Sequence, residues 1–232
     1  MLKEFLMKHL IVGYGEVGKG LKAILDSTVH DPFQDIIFVG ECEVMHICIP
    51  YADNFISIVE GYKEQFKPKI TIIHSTVPVG TCKQLGAVHS PIRGIHPHLE
   101  NGIRTFTKYF GGKDAKKAAK YFEEIGIETF VTEDVNSIEA GKLWSTTQYG
   151  FFIMLNKEIK KWCVEHDVDF DLAYTHFNET YNKGYSELGM DHVIRPVLKY
   201  MIGPIGGHCI LQNASLLDSE EKNDILELVK KR

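Results

Sequence analysis

The chain has 232 residues, of which 44% are hydrophobic and 25% charged, so it is long and apolar enough for a sizeable core and a small second domain. Its net charge of −5 at pH 7 argues against nucleic acids and anionic membranes as partners, because an acidic surface repels both. The five cysteines contain no Cys-x-x-Cys pair, and neither a signal peptide nor a bilayer-spanning apolar segment is visible, so we expect a cytoplasmic protein with reduced thiols.

Residues 1–134 alternate between short apolar runs and longer amphipathic segments, which is typical of a doubly wound parallel sheet covered by helices. Several runs place Val and Ile at consecutive positions, as expected for strands buried on both faces. We predict helices over Val17–Asp26, Tyr51–Phe66 and Ala115–Ile125. The predicted strands are His9–Val12, Thr28–His30, Ile36–Val39, Val44–Ile49, Lys69–Ile73, Ala87–Ser90 and Thr129–Val131.

The pattern changes after Glu133, and residues 137–166 indicate one long helix with apolar side chains at near-helical spacing. A helix of about 30 residues is roughly 45 Å long and exceeds one face of a small domain. We therefore expect residues 135–232 to form a smaller all-helical domain and the long helix to mediate a homodimer contact. Further helices are predicted over Leu172–Leu188 and Ser219–Arg232.

A glycine-rich turn, Gly13-Tyr14-Gly15-Glu16-Val17-Gly18, follows the first predicted strand and opens the first predicted helix. In such a unit the first glycine permits the tight turn, the second lets a pyrophosphate approach the backbone, and the third allows close helix–sheet packing. The helix N-terminus adds N–H donors and partial positive charge. This placement favours a Rossmann-type dinucleotide site over a glycine turn without a ligand.

Asp31 lies eighteen positions after Gly13, near the usual spacing of the acid that binds the adenosine ribose. Pro32 disfavours a helical conformation at Asp31 and holds it in an extended strand end. A carboxylate there repels a 2′-phosphate, so we predict NAD rather than NADP; the alternative is an ordinary turn Asp. Because ligands bind at the carboxyl ends of strands in open α/β sheets, we expect Pro50 and Ser75-Thr76 to line the nicotinamide half of the site.

The predicted long helix carries polar side chains on one face, at Glu139, Lys142, Thr146 and Tyr149. A lone Lys on a helix is usually a solvated surface residue, so this face alone predicts no chemistry. Further along, the Gly206–Cys209 segment places a thiol after two glycines, which suits a reactive thiol exposed to substrate; the alternative is an ordinary buried cysteine.

In this order, the Gly13–Gly18 turn, the Ser75–Gly80 turn, Lys142 and the Gly206–Cys209 segment resemble the UDP-glucose/GDP-mannose dehydrogenase family. These are nicotinamide-dependent enzymes that oxidise a sugar alcohol to a carboxylate. The resemblance implies that Lys142 stabilises the alkoxide as hydride leaves and that Cys209 attacks the aldehyde intermediate. Thr146 occupies the position of the family's Asn, where its hydroxyl still forms hydrogen bonds over a shorter reach.

His96, in the His96-Pro97-His98 segment, also resembles the His-Pro of prephenate-type dehydrogenases, in which the histidine polarises a substrate oxygen. Arg93 or Arg104 would then hold a substrate carboxylate. A metal pair of His96 and His98 is disfavoured because the sequence places no third ligand, so we predict no metal site. Plain loop polarity is the simplest account of His98.

The chain departs from the family pattern where the family places two carboxylates. Ile92 stands at the position of a Glu, and Gln212-Asn213 replace a Lys-Asp pair. The resemblance covers the family's first two parts and not its C-terminal nucleotide-binding domain. We predict an NAD-dependent oxidoreductase that acts on a CH–OH group of a small sugar-like or hydroxy-acid substrate. The alternatives are a two-electron β-hydroxyacid or prephenate-type dehydrogenase, and a catalytically weakened NAD-binding sensor or partner protein.

Overall fold

The computed structural model describes residues 7–94, 98–203 and 208–217. These residues divide into two compact units, one ending at Lys142 and the other starting at Leu143. Every helix in the described part is too short or too polar to cross a membrane. The terminal helix predicted over Ser219–Arg232 lies outside the described residues.

The first unit is built on one sheet of seven strands in its described residues, and the predicted fold class is confirmed. In space the strands follow the order β2-β1-β3-β4-β5-β6-β7. Strands β1 to β5 are parallel, whereas β6 runs antiparallel to β5 and parallel to β7. The bounds are β1 Met7–Val12, β2 Thr28–His30, β3 Cys42–Ile47, β4 Ile70–Ile73, β5 Val88–His89, β6 Lys108–Gly111 and β7 Thr129–Thr132.

Two strand predictions differ from the structure. The strand predicted at Ile36–Val39 is wrong, because a 3₁₀ turn at Pro32–Gln34 and a left-handed Asp35 (φ 56°) leave Ile36 with only an isolated bridge to Asp31. Strand β6 was not predicted, because its first residue is a lysine and two glycines follow its aromatic pair. Both differences arise where tertiary contacts override the local apolar pattern.

The helices on the sheet follow the prediction where they are long. The long helix is confirmed at Val135–Glu165, with 31 residues. Helices α3 and α4 were not predicted, because 5 and 7 residues are too few to show an apolar period. The bounds are α1 Glu16–Lys22, α2 Phe55–Phe66, α3 Thr81–Leu85, α4 Leu99–Thr105, α5 Ala115–Glu123, α6 Val135–Glu165, α7 Phe177–Glu187 and α8 His208–Leu217.

Apolar side chains fill both faces of the sheet, as consecutive Val and Ile residues predicted. On β1, Ile11 joins the cluster under α1, α4 and α5, which includes Phe122. Its neighbours Leu10 and Val12 join the opposite cluster, which includes Phe55 of α2. The side chains alternate because successive residues of a strand point to opposite faces.

The second unit is helical in its described residues. After α6, a π-helical turn at Asp171–His176 continues directly into α7, so the predicted Leu172–Leu188 helix is found with a wider first turn. One small cluster gathers Cys163, Phe170 and Tyr174, and another forms around Ile210 of α8.

The core of the first unit also buries a lysine. Lys108 is 4% exposed, and its Nζ donates to the Ser90 carbonyl at 3.2 Å and lies over the rings of Phe110 and Phe122. Removal from water lowers the pKa of Lys108 from 10.5 to about 7; the Cys48 thiol opposes this shift and Lys142 adds to it. Between about pH 7 and pH 10.5, folding therefore releases a proton from the Lys108 amine.

We predict that Lys108→Met raises the stability of the fold below pH 7. The unfolded chain keeps the Lys108 proton up to about pH 10.5 and the folded chain only up to about pH 7, so wild-type stability rises between these values. This difference corresponds to about 5 kcal/mol, an upper bound for the gain in the variant. Urea unfolding at several pH values between 6 and 10 measures it.

The control is Lys116→Met, which alters an exposed lysine of α5. Its stability relative to wild type is expected to stay constant across the same pH range. A constant difference for Lys108→Met as well would show that Lys108 keeps its ordinary pKa.

Candidate functional site

A cleft of about 730 Å³ opens at the carboxyl ends of β1, β2 and β3. The strand order reverses here, since β2 and β3 lie on opposite sides of β1. Ligands of open α/β sheets bind at such a reversal, and the volume suits a small-molecule site. The lining consists of the glycine turn, the loop after β2, and the segment from β3 into α2: Gly13, Tyr14, Gly15, Glu16, Val17, Asp31, Pro32, Phe33, Gln34, Cys48, Ile49, Pro50, Ala52, Asn54, Ile58 and Tyr62.

The three glycines of the turn have three different environments. Gly13 has a φ of 92°, and a Cβ there would lie 2.9 Å from Ile49 Cγ2. A Cβ on Gly18 would lie 2.0 Å from the carbonyl oxygen of Gly13, so no side chain fits between helix and strand. A Cβ on Gly15 would meet nothing within 4 Å, so packing does not require this glycine. Its open side faces the cleft, as an approaching phosphate requires.

Asp31 connects the glycine turn to the loop after β2. It is 7% exposed, and its Oδ2 accepts from the Tyr14 backbone N–H at 2.7 Å and from Gln34 Nε2 at 2.9 Å. Its Oδ1 accepts from the Phe33 backbone N–H at 3.1 Å. A carboxylate has about four acceptor positions, so about one is left for a ribose hydroxyl. Sequence reasoning missed Gln34, because no spacing rule marks an amide in this loop.

The predicted nicotinamide residues lie next to one another at the carboxyl ends of β3 and β4. Pro50 lines the cleft, whereas Ser75 and Thr76 are outside its lining. Ser75 is buried and its Oγ donates to the Ile49 carbonyl at 2.5 Å, which joins the ends of the two strands. The Ser75 carbonyl accepts from His89 Nε2 at 3.2 Å. Burial lowers the pKa of His89 to about 3, so this histidine is neutral and fixed in orientation.

Lys142 is held at the carboxyl end of β5, within the first unit. Its Nζ donates to the Ile92 carbonyl at 2.9 Å. One turn earlier on α6, the buried Glu139 carboxylate accepts from the backbone N–H groups of Gly80 at 2.6 Å and Cys82 at 2.7 Å. Burial raises the pKa of Glu139, while these N–H groups lower it. Glu139 thus fixes α6 to the loop that follows Ser75-Thr76.

The other catalytic candidates fall elsewhere. Thr146 is half-buried and belongs to the second unit. Cys209 is the second residue of α8 in the second unit, but its side chain is outside the described part, and His96 lies outside the described residues altogether. Ile92 and Asn213, which replace the family's carboxylates, are both buried. Of the four candidates, Lys142 is therefore the one described within the unit that contains the cleft.

Two more residues near this edge were missed by sequence reasoning. Lys108 interrupts an aromatic run, Phe106-Thr107-Lys108-Tyr109-Phe110, and a charge inside such a run is a usable signal of a buried lysine. Glu139 was assigned to the polar face of the long helix, but its contacts with residues 57 and 59 positions earlier were not foreseeable from spacing.

We predict opposite effects for alanine at two glycines of the turn. Gly18→Ala should destabilise the fold by roughly 1–3 kcal/mol or more, because its Cβ collides with the Gly13 carbonyl. Gly15→Ala should leave stability within about 0.5 kcal/mol of wild type. It should weaken dinucleotide binding about tenfold or more, because its methyl group occupies the phosphate position.

Denaturant unfolding and calorimetric titration of NAD on both variants measure these effects, and each variant is the control of the other. Wild-type dinucleotide affinity in Gly15→Ala would contradict the assignment of the turn.

No protein-family model matches the chain, and no curated protein matches its sequence. Several solved structures match its fold. The UDP-D-ManNAc dehydrogenase from Pyrococcus horikoshii has a TM-score of 0.74 at 16% identity, covering 97% of this chain and 68% of that one. The UDP-N-acetyl-mannosamine dehydrogenase Cap5O from S. aureus has a TM-score of 0.65 at 17% identity, covering 97% and 66%. The Mycobacterium tuberculosis 3-hydroxyisobutyrate dehydrogenase has a TM-score of 0.67 at 12% identity, covering 98% and 92%.

The chain spans about two thirds of the length of these two nucleotide-sugar enzymes and is nearly as long as the hydroxyisobutyrate enzyme. At such identities the likeness concerns the fold. The resemblance predicted from the motifs is confirmed at that level: about two thirds of a nucleotide-sugar dehydrogenase and most of a 3-hydroxyisobutyrate dehydrogenase share the fold of this chain.

Proposed function

We propose that the protein is an NAD-dependent oxidoreductase that acts on a CH–OH group of a small sugar-like or hydroxy-acid substrate. The observation that carries this proposal is the cleft at the strand-order reversal, where the open side of Gly15 and the carboxylate of Asp31 face the same space. The dehydrogenase fold of its structural neighbours supports the same reaction class.

The cofactor would be held by backbone and side-chain groups of the first unit. Its pyrophosphate would lie over Gly15 at the start of α1, where N–H groups and the helix dipole favour negative charge. An adenosine ribose hydroxyl would donate to the remaining acceptor position of Asp31. A 2′-phosphate there would face a buried carboxylate, which favours NAD over NADP.

Lys142 would act on the substrate. Oxidation of the alcohol breaks its C–H and O–H bonds, with hydride going to the nicotinamide and the proton to solvent, and leaves a carbonyl. The oxygen carries negative charge as hydride departs, so an amine at that oxygen lowers the barrier. Lys142 Nζ donates to the Ile92 carbonyl, and this contact holds the amine at the carboxyl end of β5.

The replaced carboxylates favour a two-electron reaction. A four-electron reaction requires hydrolysis of an acyl-cysteine, and the attacking water needs a base. Neither Ile92 nor Asn213 can accept a proton at neutral pH. The second candidate is therefore a β-hydroxyacid dehydrogenase, favoured by the likeness to the 3-hydroxyisobutyrate enzyme over 92% of that chain.

The long helix would also mediate a homodimer. Four large apolar side chains of α6 are about half-exposed, whereas most other apolar side chains of the described residues are covered. They are Trp144, Tyr149, Leu155 and Trp162. Three of the four are aromatic, and exposed aromatic side chains on one helix are typical of an interface between subunits.

We predict that Asp31→Asn weakens NAD binding by about 1.5–3 kcal/mol, because a charged acceptor of the ribose hydroxyl is lost. The discrimination against NADP should fall in the same variant, because the repulsion of the 2′-phosphate is removed. Calorimetric titration with both cofactors measures this. Asn keeps one acceptor oxygen for the loop, and thermal unfolding of the same sample controls for the fold; unchanged NAD affinity would exclude Asp31 from the site.

We predict that Lys142→Met lowers turnover by about 100–1,000-fold and leaves NAD affinity within about twofold, because the lost donor acts on the transition state. NADH formation over a panel of sugars and hydroxy acids, followed by calorimetry, tests both parts. The matched control is Lys161→Met, which removes an exposed lysine of the same helix. Equal turnover of the two variants would mean that Lys142 is a surface residue without a role in the reaction.

A further inference from the structure

Three histidines form a continuous row of hydrogen bonds inside the sheet. His9 of β1, His46 of β3 and His74 after β4 are 5%, 0% and 2% exposed. The row runs from His9 Nδ1 to His46 Nε2 at 3.0 Å, from His46 Nδ1 to His74 Nε2 at 2.9 Å, and from His74 Nδ1 to the Ser90 carbonyl at 2.6 Å. We call these residues the histidine row. It ends beside β5, at the edge of the sheet where Lys142 is held.

The carbonyl at the end of the row determines where each proton lies. The Ser90 oxygen can only accept, so His74 carries its hydrogen on Nδ1. Burial and the nearby Lys108 keep the pKa of His74 well below 6.5, so the ring is neutral and its Nε2 accepts from His46 Nδ1. The same reasoning applies to His46, whose pKa burial also lowers, and places a hydrogen on His9 Nδ1. Burial lowers the pKa of His9 as well, so all three rings are neutral with the hydrogen on Nδ1.

The row does not form a metal site. In the described residues, no group of three or more His, Cys, Asp or Glu side chains is arranged to hold a metal ion. Each facing pair of ring nitrogens is instead occupied by one shared hydrogen. The histidines therefore act through the N–H that His74 delivers to Ser90.

The Ser90 carbonyl receives a second donor from the opposite neighbour in the sheet. Lys108 Nζ donates to it at 3.2 Å. Pro91, with its fixed φ, follows Ser90, and the carbonyl of Ile92, two residues after Ser90, accepts from Lys142 Nζ at 2.9 Å. In the Ser90–Ile92 segment, the first carbonyl is therefore fixed by two buried donors, His74 and Lys108. The last carbonyl of the same segment accepts from the Lys142 amine.

We propose that His74 and Lys108 are positioning residues for Lys142, which fix the Ser90–Ile92 backbone and through it the direction of the Lys142 amine. His46 donates to the acceptor nitrogen of His74, and His9 donates to that of His46, so both buried acceptors along the row have a partner. The proposal rests on the proposed role of Lys142 in the reaction. A displacement of a reacting group by about 1 Å can cost roughly 100-fold in rate, so a distant support of this kind is visible in turnover.

The first test needs no turnover. Long-range ¹⁵N–¹H NMR of the full chain should show His9, His46 and His74 as neutral rings with the hydrogen on Nδ1. A hydrogen on Nε2 of His74 would overturn the proposal, because that ring would then present an acceptor to the Ser90 carbonyl.

The second test compares two substitutions at His74. His74→Phe keeps a ring but removes the donor, and turnover should fall about 10–100-fold with NAD affinity within about twofold. His74→Gln offers one donor and one acceptor, and it should recover most of the lost turnover. Equal turnover in the two variants would overturn the proposal. If His74→Phe does not fold, Lys108→Met removes the other donor from the same carbonyl and should lower turnover in the same direction.

The third test asks whether the effect passes through Lys142. In a double-mutant cycle, His74→Phe should cause little further loss once Lys142→Met is present, because both changes remove one interaction. Losses that add in full would overturn the proposal while the role of Lys142 stands. If the wild-type protein oxidises no substrate, the proposed function fails instead. The structural part is then tested by hydrogen exchange at the Ser90 N–H, which donates to the Ile73 carbonyl. Faster exchange in His74→Phe than in wild type supports the proposal, and unchanged exchange overturns it.

Discussion

The close approach of Gly18 to the carbonyl oxygen of Gly13 sets the geometry of the cleft. Because no side chain separates them, α1 begins directly after the end of β1, and its first residues line the cleft at the carboxyl ends of β1, β2 and β3. Asp31 then fixes the rim of that space, since the carboxylate that would receive the ribose also accepts from the backbone of the glycine turn. The proposed cofactor binding and the local fold would therefore depend on the same two contacts.

The opposite side of the site is built on buried charge and buried imidazole. Glu139 and Lys108 are both nearly enclosed, which costs free energy unless each is fully hydrogen-bonded. Their partners are backbone groups of the segments that follow β4 and β5, the same segments that contain Ser75 and Ile92. Burying these groups lowers the stability of the fold, but their hydrogen bonds fix the backbone around Lys142. Buried polar groups of this kind define the position of neighbouring residues more than they stabilise the protein.

Much of the first unit could be predicted because its signals are local. The Gly13–Gly18 turn and the consecutive apolar residues of β1 and β3 are patterns of a few neighbouring residues, and these patterns alone predict a phosphate-binding turn and buried strands. The rest depends on partners far away in sequence: Glu139 contacts Cys82 across 57 residues, and His46 contacts His74 across 28. Local patterns also misled at Ile36–Val39, an apolar run that lies in a loop because the backbone of Asp31 forms hydrogen bonds with that of Ile36. Sequence spacing marks a turn or a strand, but it does not show which buried polar groups will meet.

The most direct measurement is a crystal structure of the protein with NAD bound. The account predicts an adenosine ribose hydroxyl within hydrogen-bonding distance of Asp31, the pyrophosphate over Gly15 at the start of α1, and the nicotinamide beside Pro50 and Ser75. A dinucleotide bound elsewhere on the chain, or an empty cleft at a saturating concentration of NAD, would contradict it.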